Sequence, residues 1–440
     1  MKKVSEMKKK LIVISMDAMV YEDLQELKDR PNFGWMLENG ARVNRMRSIY
    51  PTLTYPCHTT MATGLYPDRH GIINNTVMQV GEEDLPWQFY KSAAKGRDIF
   101  DACKEAGMTT AAVAWPVTGN HPHIDWLVDE IWPKKPYTWD TFAQAYRDSG
   151  TSEAVFEKVV KPILWQRVPR INPNNSYFNT RCACSIIRNY QPDLLMIHTG
   201  NIDDYRHNTG VFSKKVSQGL LECEQLLEML IEATRDAGVI EETNFVVTAD
   251  HGQLNVTRIV RPNVEFVKNG LVTLDENGQV ADWQAWCFSA GLSAHVVLKD
   301  PENAALREKV SGLLYKMRDE GIWGFSEVYT KEEVRTQEHL DGPFSFILET
   351  DGYSKFGNGW QGGYVETMPL EVDGIHKASH GYHPDKGPRP FFLGCGPDFR
   401  KGAVLENANL ADGAPTYAKL LNVSLPDTDG QALTELLKLE

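Results

Sequence analysis

At 440 residues, with 42% hydrophobic and 24% charged side chains, the chain has the composition of an ordinary globular protein and the length for a full α/β core plus an inserted subdomain. A formal net charge of -13 excludes a general affinity for nucleic-acid backbone or acidic membrane surfaces, while leaving room for a local cationic site such as a metal pocket inside an acidic shell. Seven cysteines, an odd number with no CxxC pair among them, form no disulfide framework and predict a reduced, cytoplasmic protein.

The basic start MKKVSEMKKK leads into LIVIS at 11–15, which ends at Asp17. A secretory h-region needs about 7–15 apolar residues and a membrane helix about 18 or more, so this run predicts a buried strand. Next comes YPTLTYPCHTTMATGLYPDRHGIINN, residues 50–75. Pro56 marks the first turn of a helix and leaves Thr54 near its cap, with its hydroxyl at the positive end. An ordinary N-cap is the plain reading of Thr54 by position. Further apolar runs follow at TAAVAW (110–115), LLMIH (194–198), NFVVTAD (244–250) and FFLGCG (391–396). Between them lie the helical stretches GRDIFDACKEAG, VFEKVVKPILWQR and QGLLECEQLLEMLIEATRDAG.

This rhythm predicts an α/β fold whose mostly parallel central sheet is sandwiched by helices, with functional residues gathered at the carboxyl ends of the strands. Between 265 and 375 the pattern changes. AHVVLKD, GFSEVYTKEEV and PFSFILETD read as strands of an antiparallel kind, followed by the Gly-rich GYSKFGNGWQGGY. A small inserted α+β subdomain over 265–375 is expected between core segments 8–264 and 376–440.

Polar residues cluster at the predicted strand ends. Asp17 closes LIVIS, Asp203 and His207 follow LLMIH in HTGNIDDYRHNTG, Asp250 and His251 close NFVVTAD, and His380 lies in ASHGYHPDKGP before FFLGCG. A single Asp after a strand is ordinarily a cap or turn residue. Together these are three carboxylates and three imidazoles delivered to one edge with the hydroxyl of Thr54. Carboxylate oxygen and imidazole nitrogen are the usual protein ligands of catalytic zinc, and two such ions about 3.5–4 Å apart hold both the attacking and leaving oxygens of a displacement. A free threonine hydroxyl is a weak nucleophile; an adjacent metal and a helix N-terminus would make it usable at neutral pH.

With these motifs the chain resembles the alkaline phosphatase superfamily, and most of all its nucleotide pyrophosphatase/phosphodiesterase branch, from Asp17 to the HGYHP segment. PTLTYPCHTTMATGLYPDRHGIINN is similar to that branch's signature of a threonine, an aromatic and a proline opening a helix that leads to TGLYP and HGI. The resemblance implies that Thr54 forms a covalent intermediate, that Asn75 hydrogen-bonds a non-bridging phosphate oxygen, and that Tyr55 packs against a nucleoside. It also implies two zinc ions, one held by Asp203, His207 and His380, the other by Asp17, Asp250, His251 and the Thr54 oxygen. The implied reaction is a two-step transfer through a phosphothreonine. Its substrate would be a small phosphorylated molecule, a nucleotide among the candidates, with no nucleic-acid polymer and no membrane as partner; the oligomeric state is left open.

The same core supports two other activities, a phosphomonoesterase and a phosphonoacetate-type phosphonate hydrolase, and a catalytically silent metal-binding sensor is the non-enzyme alternative. Relatives acting on more highly charged substrates place a lysine or arginine after the next core strand. Here AAVAWPVTGNH offers Trp115 and Pro116 instead, which favours a singly charged diester. A manganese phosphomutase of related fold would use serine and a large inserted domain, and neither is present. Several residues depart from the branch or stand outside it. Val117 replaces a usual glycine, Tyr205 and Arg206 interrupt the D-x3-H unit, and Arg206 is a candidate to reach a second phosphate, although its neighbour Asp204 favours a solvated ion pair. His383 is a candidate for phosphate binding or ligand support. His58 is expected to pack or hydrogen-bond and not to bind metal, His70 to shape the turn before Asn75, and His121 and His123 to form a loop open to an adventitious metal. Residues 357–364 are expected to lip the pocket or form a surface loop.

Overall fold

The run LIVIS becomes the middle of a strand, Lys10–Met16, buried along its whole length. It pairs in parallel with Leu194–Thr199 on one side and Thr243–Thr248 on the other. Strands covered on both faces read as continuous apolar runs, which is why alternation is missing from these segments. Successive side chains still point to opposite faces. Ile12 and Ile14 enter one apolar cluster with Leu195, Ile197 and Val247, whereas Leu11 and Val13 enter another with Leu194, Met196 and Val246.

The computed structural model describes residues 9–133, 135–167, 171–368 and 376–438. The basic leader 1–8 and residues 369–375, 439 and 440 of the expected segments lie outside the described residues. The main sheet has eight strands in the order Val404–Asn409, Ala41–Arg47, Phe392–Cys395, Thr243–Thr248, Lys10–Met16, Leu194–Thr199, Thr110–Val113 and Trp126–Val128. Among the described residues only Phe392–Cys395 runs antiparallel to its neighbours. Helices Pro31–Asn39, Asn174–Tyr190 and Lys214–Asp236 cover the first apolar face; Thr54–Thr63, Ile99–Glu105 and Gly413–Leu421 cover the second. This is the expected α/β sandwich.

A second, antiparallel sheet is built from Ala285–Ala290, Ser293–Leu298, Phe346–Thr350 and Phe325–Thr330, in that spatial order. It shares its own apolar cluster with helix Ala304–Glu320. Two predicted elements differ. GFSEVYTKEEV is a strand only to Thr330, whose hydroxyl caps the following helix Lys331–Glu338 in a capping box with Glu333. VFEKVVKPILWQR is not a regular helix: it forms a π turn over Phe156–Val160 and a 3-10 stretch over Lys161–Gln166, where Pro162 cannot donate the bond an α-helix needs. The 357–364 stretch is in part the expected surface loop, with Gln361, Gly362 and Gly363 exposed. Trp360 and Tyr364 anchor it in the second sheet's own apolar cluster, Trp360 against Trp286 with ring centroids 5.5 Å apart.

Arg206 also departs from expectation. It is not solvated beside Asp204; it is fully buried and grips both carboxylate oxygens of Asp23 at 2.7 and 2.6 Å while donating to the Val211 carbonyl at 2.9 Å. Burial pushes the Asp23 carboxyl up despite the opposing pull of Arg206. A pair like this adds little net stability over apolar packing, yet removing one partner strands a buried charge. Arg206→Ala is therefore expected to cost about 3–5 kcal/mol of unfolding free energy in urea titration. A loss below about 1 kcal/mol would show the pair to be dispensable.

Candidate active site

Helix Thr54–Thr63 begins after Leu53, an extended N-cap residue whose side chain makes no capping bond. Thr54 is thus the first helical residue, not the cap, and its hydroxyl is not spent on the helix backbone. All ten residues of the helix are buried, which explains its lack of a polar face. Thr54 Oγ1 lies 3.3 Å from His251 Nε2.

Around that hydroxyl the strand ends deliver two groups of ligands. Asp17, Asp250 and His251 form one, with one donor atom from each lying within 4.8 Å of the others. His251 Nε2 is 3.1 Å from Asp250 Oδ2 and 3.6 Å from Asp17 Oδ1. Asp203, His207 and His380 form the other, with Asp203 oxygens 3.3 Å from His207 Nε2 and 3.6 Å from His380 Nε2. The groups abut: the His251 and His380 rings stack with centroids 3.9 Å apart and 13° between planes. All six side chains and Thr54 singled out in the sequence therefore meet at one rim.

The donor chemistry fits cations. His207 Nδ1 hydrogen-bonds the Ala378 carbonyl at 2.7 Å, and His380 Nδ1 that of Thr52 at 3.0 Å. Each bond places the proton on Nδ1 and leaves the Nε2 lone pair for a metal. Asp17 Oδ1 and Asp250 Oδ2 are buried without a hydrogen-bond partner. Burial and the neighbouring charge of Asp250 push Asp17 well above the usual carboxylate range, and burial raises Asp250 to about 6. Burial also drives His251 down to about 4 and His380 well below the usual imidazole value. Burial pushes Asp203 up, but the imidazoles of His207, His380 and His251 outweigh it and hold it low. Uncompensated carboxylates beside neutral imidazoles are a natural cradle for divalent ions.

Supporting residues were not singled out in the sequence. Gln253 donates to Asp203 Oδ1 at 2.5 Å and to its carbonyl at 3.1 Å. His198, last but one in its strand, sits 3.0 Å from Asp17 Oδ2. His58 is hydrogen-bonded as expected, bridging the Thr54 carbonyl at 2.7 Å and Ser15 Oγ at 2.9 Å. A polar residue at the carboxyl end of an apolar strand was the available signal for His198, and the position next to Asp250-His251 was the signal for Gln253. Gly381, at φ 97°, is required by close approach: a Cβ there would collide with the Ala290 carbonyl.

Asn75 is half-buried, and its Oδ1 accepts the Tyr55 backbone N–H at 2.8 Å, so its amide nitrogen remains to donate. Tyr55 itself is a correction. Its ring has no exposed surface; it packs with Ile72 and Val117, 5.2 Å from Trp87 and 6.5 Å from Phe89 by ring centroid. Val117 takes φ 60°, so this β-branched residue occupies the left-handed conformation for which glycine is suited. His70 accepts the Ile72 N–H at 3.1 Å, within the turn that leads to Asn75. His383 contacts Glu338 at 3.0 Å. His121 accepts the His123 N–H on Nδ1 and holds Asp98 with Nε2 at 3.0 Å, while the Lys91 ammonium is 3.3 Å from Asp98; both ring nitrogens are engaged and a cation is already in place.

Fold and site together define an alkaline phosphatase-like α/β protein with paired candidate metal groups. The family model for type I phosphodiesterase / nucleotide pyrophosphatase matches residues 11–383, and the chain belongs to that family. It is 26% identical to Crotalus adamanteus venom phosphodiesterase 2 over 259 residues, which is 56% of this chain but only 27% of that relative. Human ectonucleotide pyrophosphatase/phosphodiesterase family member 5 is 22% identical over 436 residues, 96% of this chain and 76% of that protein. The solved structures of the murine and human member 5 share the fold at 20% and 19% identity with TM-scores of 0.64 and 0.67, each covering 98% of this chain and 100% of theirs. The murine protein has also been solved as an inactive variant in complex with AMP.

Without metal the charge on Asp250 opposes folding. Its folded pKa of about 6 exceeds the ordinary carboxylate value of 3.8, so its stabilising protonation is complete below about pH 4 and is lost as pH rises through 6. In chelator-treated protein Asp250→Asn is expected to raise the urea midpoint at pH 8 and to leave it near wild type at pH 4. A wild-type midpoint above that of the variant at pH 8 would contradict the carboxylate crowding.

Proposed function

We propose that this chain is a two-metal hydrolase that cleaves phosphodiester or pyrophosphate bonds in small phosphorylated molecules, through a covalent phosphothreonine at Thr54. The observation that carries the reading is Thr54 Oγ1, free of capping duty and 3.3 Å from His251, whose ring stacks on His380 of the other group of candidate ligands. One ion would be held by Asp17, Asp250, His251 and Thr54, the other by Asp203, His207 and His380; this mix of carboxylate and imidazole suits zinc, which would supply Lewis-acid stabilisation to the attacking and departing oxygens.

The chain's own groups do the rest. Helix 54–63 aims its N-terminal end at the phosphoryl position, where the dipole favours negative charge. Asn75, oriented by the Tyr55 N–H, donates its amide to a non-bridging oxygen as charge grows there. The Thr54 oxygen bonds phosphorus as the leaving group departs, and a water molecule then cleaves the phosphothreonine and restores the hydroxyl. The AMP complex of the murine relative supports a nucleotide as the small substrate. The family match supports a hydrolase over a silent sensor, as do the filled positions of nucleophile and ligands. A cytoplasmic location belongs to the same reading, supported by seven buried cysteines, all of them free. Among the described residues no helix is long and apolar enough to cross a membrane.

Turnover of a bis-aryl phosphate diester, an aryl phosphate monoester and phosphonoacetate by zinc-loaded protein tests the substrate class. The diester is expected to be fastest; monoester rates far above diester rates would overturn the reading. Thr54→Ala is expected to lose turnover while keeping its zinc by elemental analysis, and activity retained in that variant would remove Thr54 as nucleophile. Asn75→Ala is expected to lower kcat by about 10²–10³-fold, as for loss of one oxyanion donor.

A further inference from the structure

One buried carboxylate outside both candidate ligand groups has no part in the chemistry above. Glu349 lies in Phe346–Thr350, an inner strand of the second sheet, and has no exposed surface. Alternation along FILET sends Phe346 and Leu348 into that sheet's own apolar cluster and turns Ile347 and Glu349 to the other face, where Ile347 packs in a cluster with Tyr50. There the Tyr50 hydroxyl donates to Glu349 Oε2 at 2.8 Å, the His383 N–H reaches both carboxylate oxygens at 3.1 Å, and Lys386 Nζ stands 3.1 Å from Oε1. Burial pushes the Glu349 carboxyl up, and these three partners oppose the shift. Burial and the adjacent carboxylate hold the Tyr50 phenol well above its ordinary range, so it keeps its proton and donates.

The two segments that meet on this carboxylate are those that carry the nucleophile and a ligand. Tyr50 opens the stretch YPTLT that ends at Thr54, and His383 closes the turn HGYH that begins at His380. Thr52 stitches the segments together: its carbonyl accepts from His380 Nδ1 at 3.0 Å and from the Gly381 N–H at 2.9 Å, and its hydroxyl donates to the Tyr382 carbonyl at 2.9 Å. The second sheet adds two bonds to the turn, from the Leu292 N–H to the His380 carbonyl at 2.8 Å and from Ser293 Oγ to the Gly381 carbonyl at 2.6 Å. Glu349 belongs to this edge, since its backbone pairs with Ser293. An outer layer repeats the pattern: His383 Nε2 lies 3.0 Å from Glu338 of helix Lys331–Glu338, and Arg47 grips both oxygens of Glu338 at 2.9 Å.

An apolar side chain of similar volume would fill this space at less cost, because a buried carboxylate gives up its hydration. It would not hold two backbones at a fixed separation, since apolar contact has no preferred direction whereas hydrogen bonds do. That separation matters here. Thr54 stands against His251 in one candidate ligand group and His380 belongs to the other, so their relative placement sets where the attacking and departing oxygens can lie. We propose that Glu349 is a positioning residue for this reaction: its carboxylate ties the Thr54 segment to the His380 turn and fixes the spacing between the nucleophile and the second metal group. This rests on the hydrolase reading above. The inserted sheet thereby forms part of the frame of the active site.

Turnover of a bis-aryl phosphate diester and competition for zinc against a chelator, measured in wild type, Glu349→Ala, Glu349→Gln, Tyr50→Phe and Leu314→Ala, test this role. Loss of a group that supports a metal ligand costs about 10–100-fold in metal affinity or activity, and a misplacement of about 1 Å about 100-fold in rate. Glu349→Ala is expected to lower kcat by about 10–100-fold with little change in KM, and to weaken one of the two zinc equivalents by a similar factor. Glu349→Gln, which keeps an acceptor, is expected to recover part of both. Tyr50→Phe removes one link and leaves the carboxylate its other partners, and is expected to shift kcat in the same direction by about 10-fold. Leu314 is buried in helix Ala304–Glu320 among the apolar residues on the sheet's other face. Leu314→Ala is expected to lower the urea midpoint and leave kcat and zinc affinity as in wild type. Wild-type kcat and zinc affinity in folded Glu349→Ala, or an equal fall in Leu314→Ala, would overturn the proposal and leave Glu349 a residue of stability alone; if Glu349→Ala does not fold, Tyr50→Phe decides by the same criteria. If wild type turns over no diester, the hydrolase reading fails; zinc affinity still decides the role of Glu349, since equal binding of both equivalents in wild type and the variants would overturn it.

Discussion

Crowding of Asp17, Asp203 and Asp250 at the carboxyl edge of the sheet is the constraint from which the rest of the site follows. Adjacent strands lie about 4.8 Å apart, so side chains that leave neighbouring strand ends cannot avoid one another. Register makes this specific: Met16 pairs with Thr199 and Ser15 with Thr248, so Asp17, helix 201–209 and Asp250 all emerge at one level. Burial denies the carboxylates water, and each makes ionisation harder for the next. Divalent cations would relieve that crowding, and the three carboxylates fall in the two groups with the donor atoms to hold them.

The surroundings hold the ligands still without competing for their lone pairs. Carbonyls of Ala378 and Thr52 take the outer nitrogens of His207 and His380, Gln253 steadies Asp203, and the Ala18 N–H steadies Asp250 at 3.1 Å. Arg206 ties helix 201–209, which carries Asp203 and His207, to Asp23 after the first strand. Fixed dipoles and neutral imidazoles are what an electrostatic catalyst needs, since they need not reorganise when charge develops.

The core was legible because apolar runs and strand-end polar residues are local signals with a topological meaning: LIVIS, LLMIH and NFVVTAD each announced both a strand and a ligand. Thr54 was legible through Pro56 and the helix start. What escaped the sequence depended on partners distant along the chain. Arg206 looks like a neighbour of Asp204, but adjacent residues on a helix point to different faces, and its true partner lies 183 residues away. Tyr55 was assigned to a nucleoside by resemblance, and only the fold shows that Val117 and Ile72 enclose it.

The six ligands are drawn from positions as far apart as Asp17 and His380, and the turn bearing the last of them is locked in place by Gly381 and Gly291. A chain still being synthesised therefore owns most of one cage long before it can close the other. Ions that favour the completed arrangement over the open polypeptide also draw the final segment home, so metal supply and successful maturation become a single equilibrium.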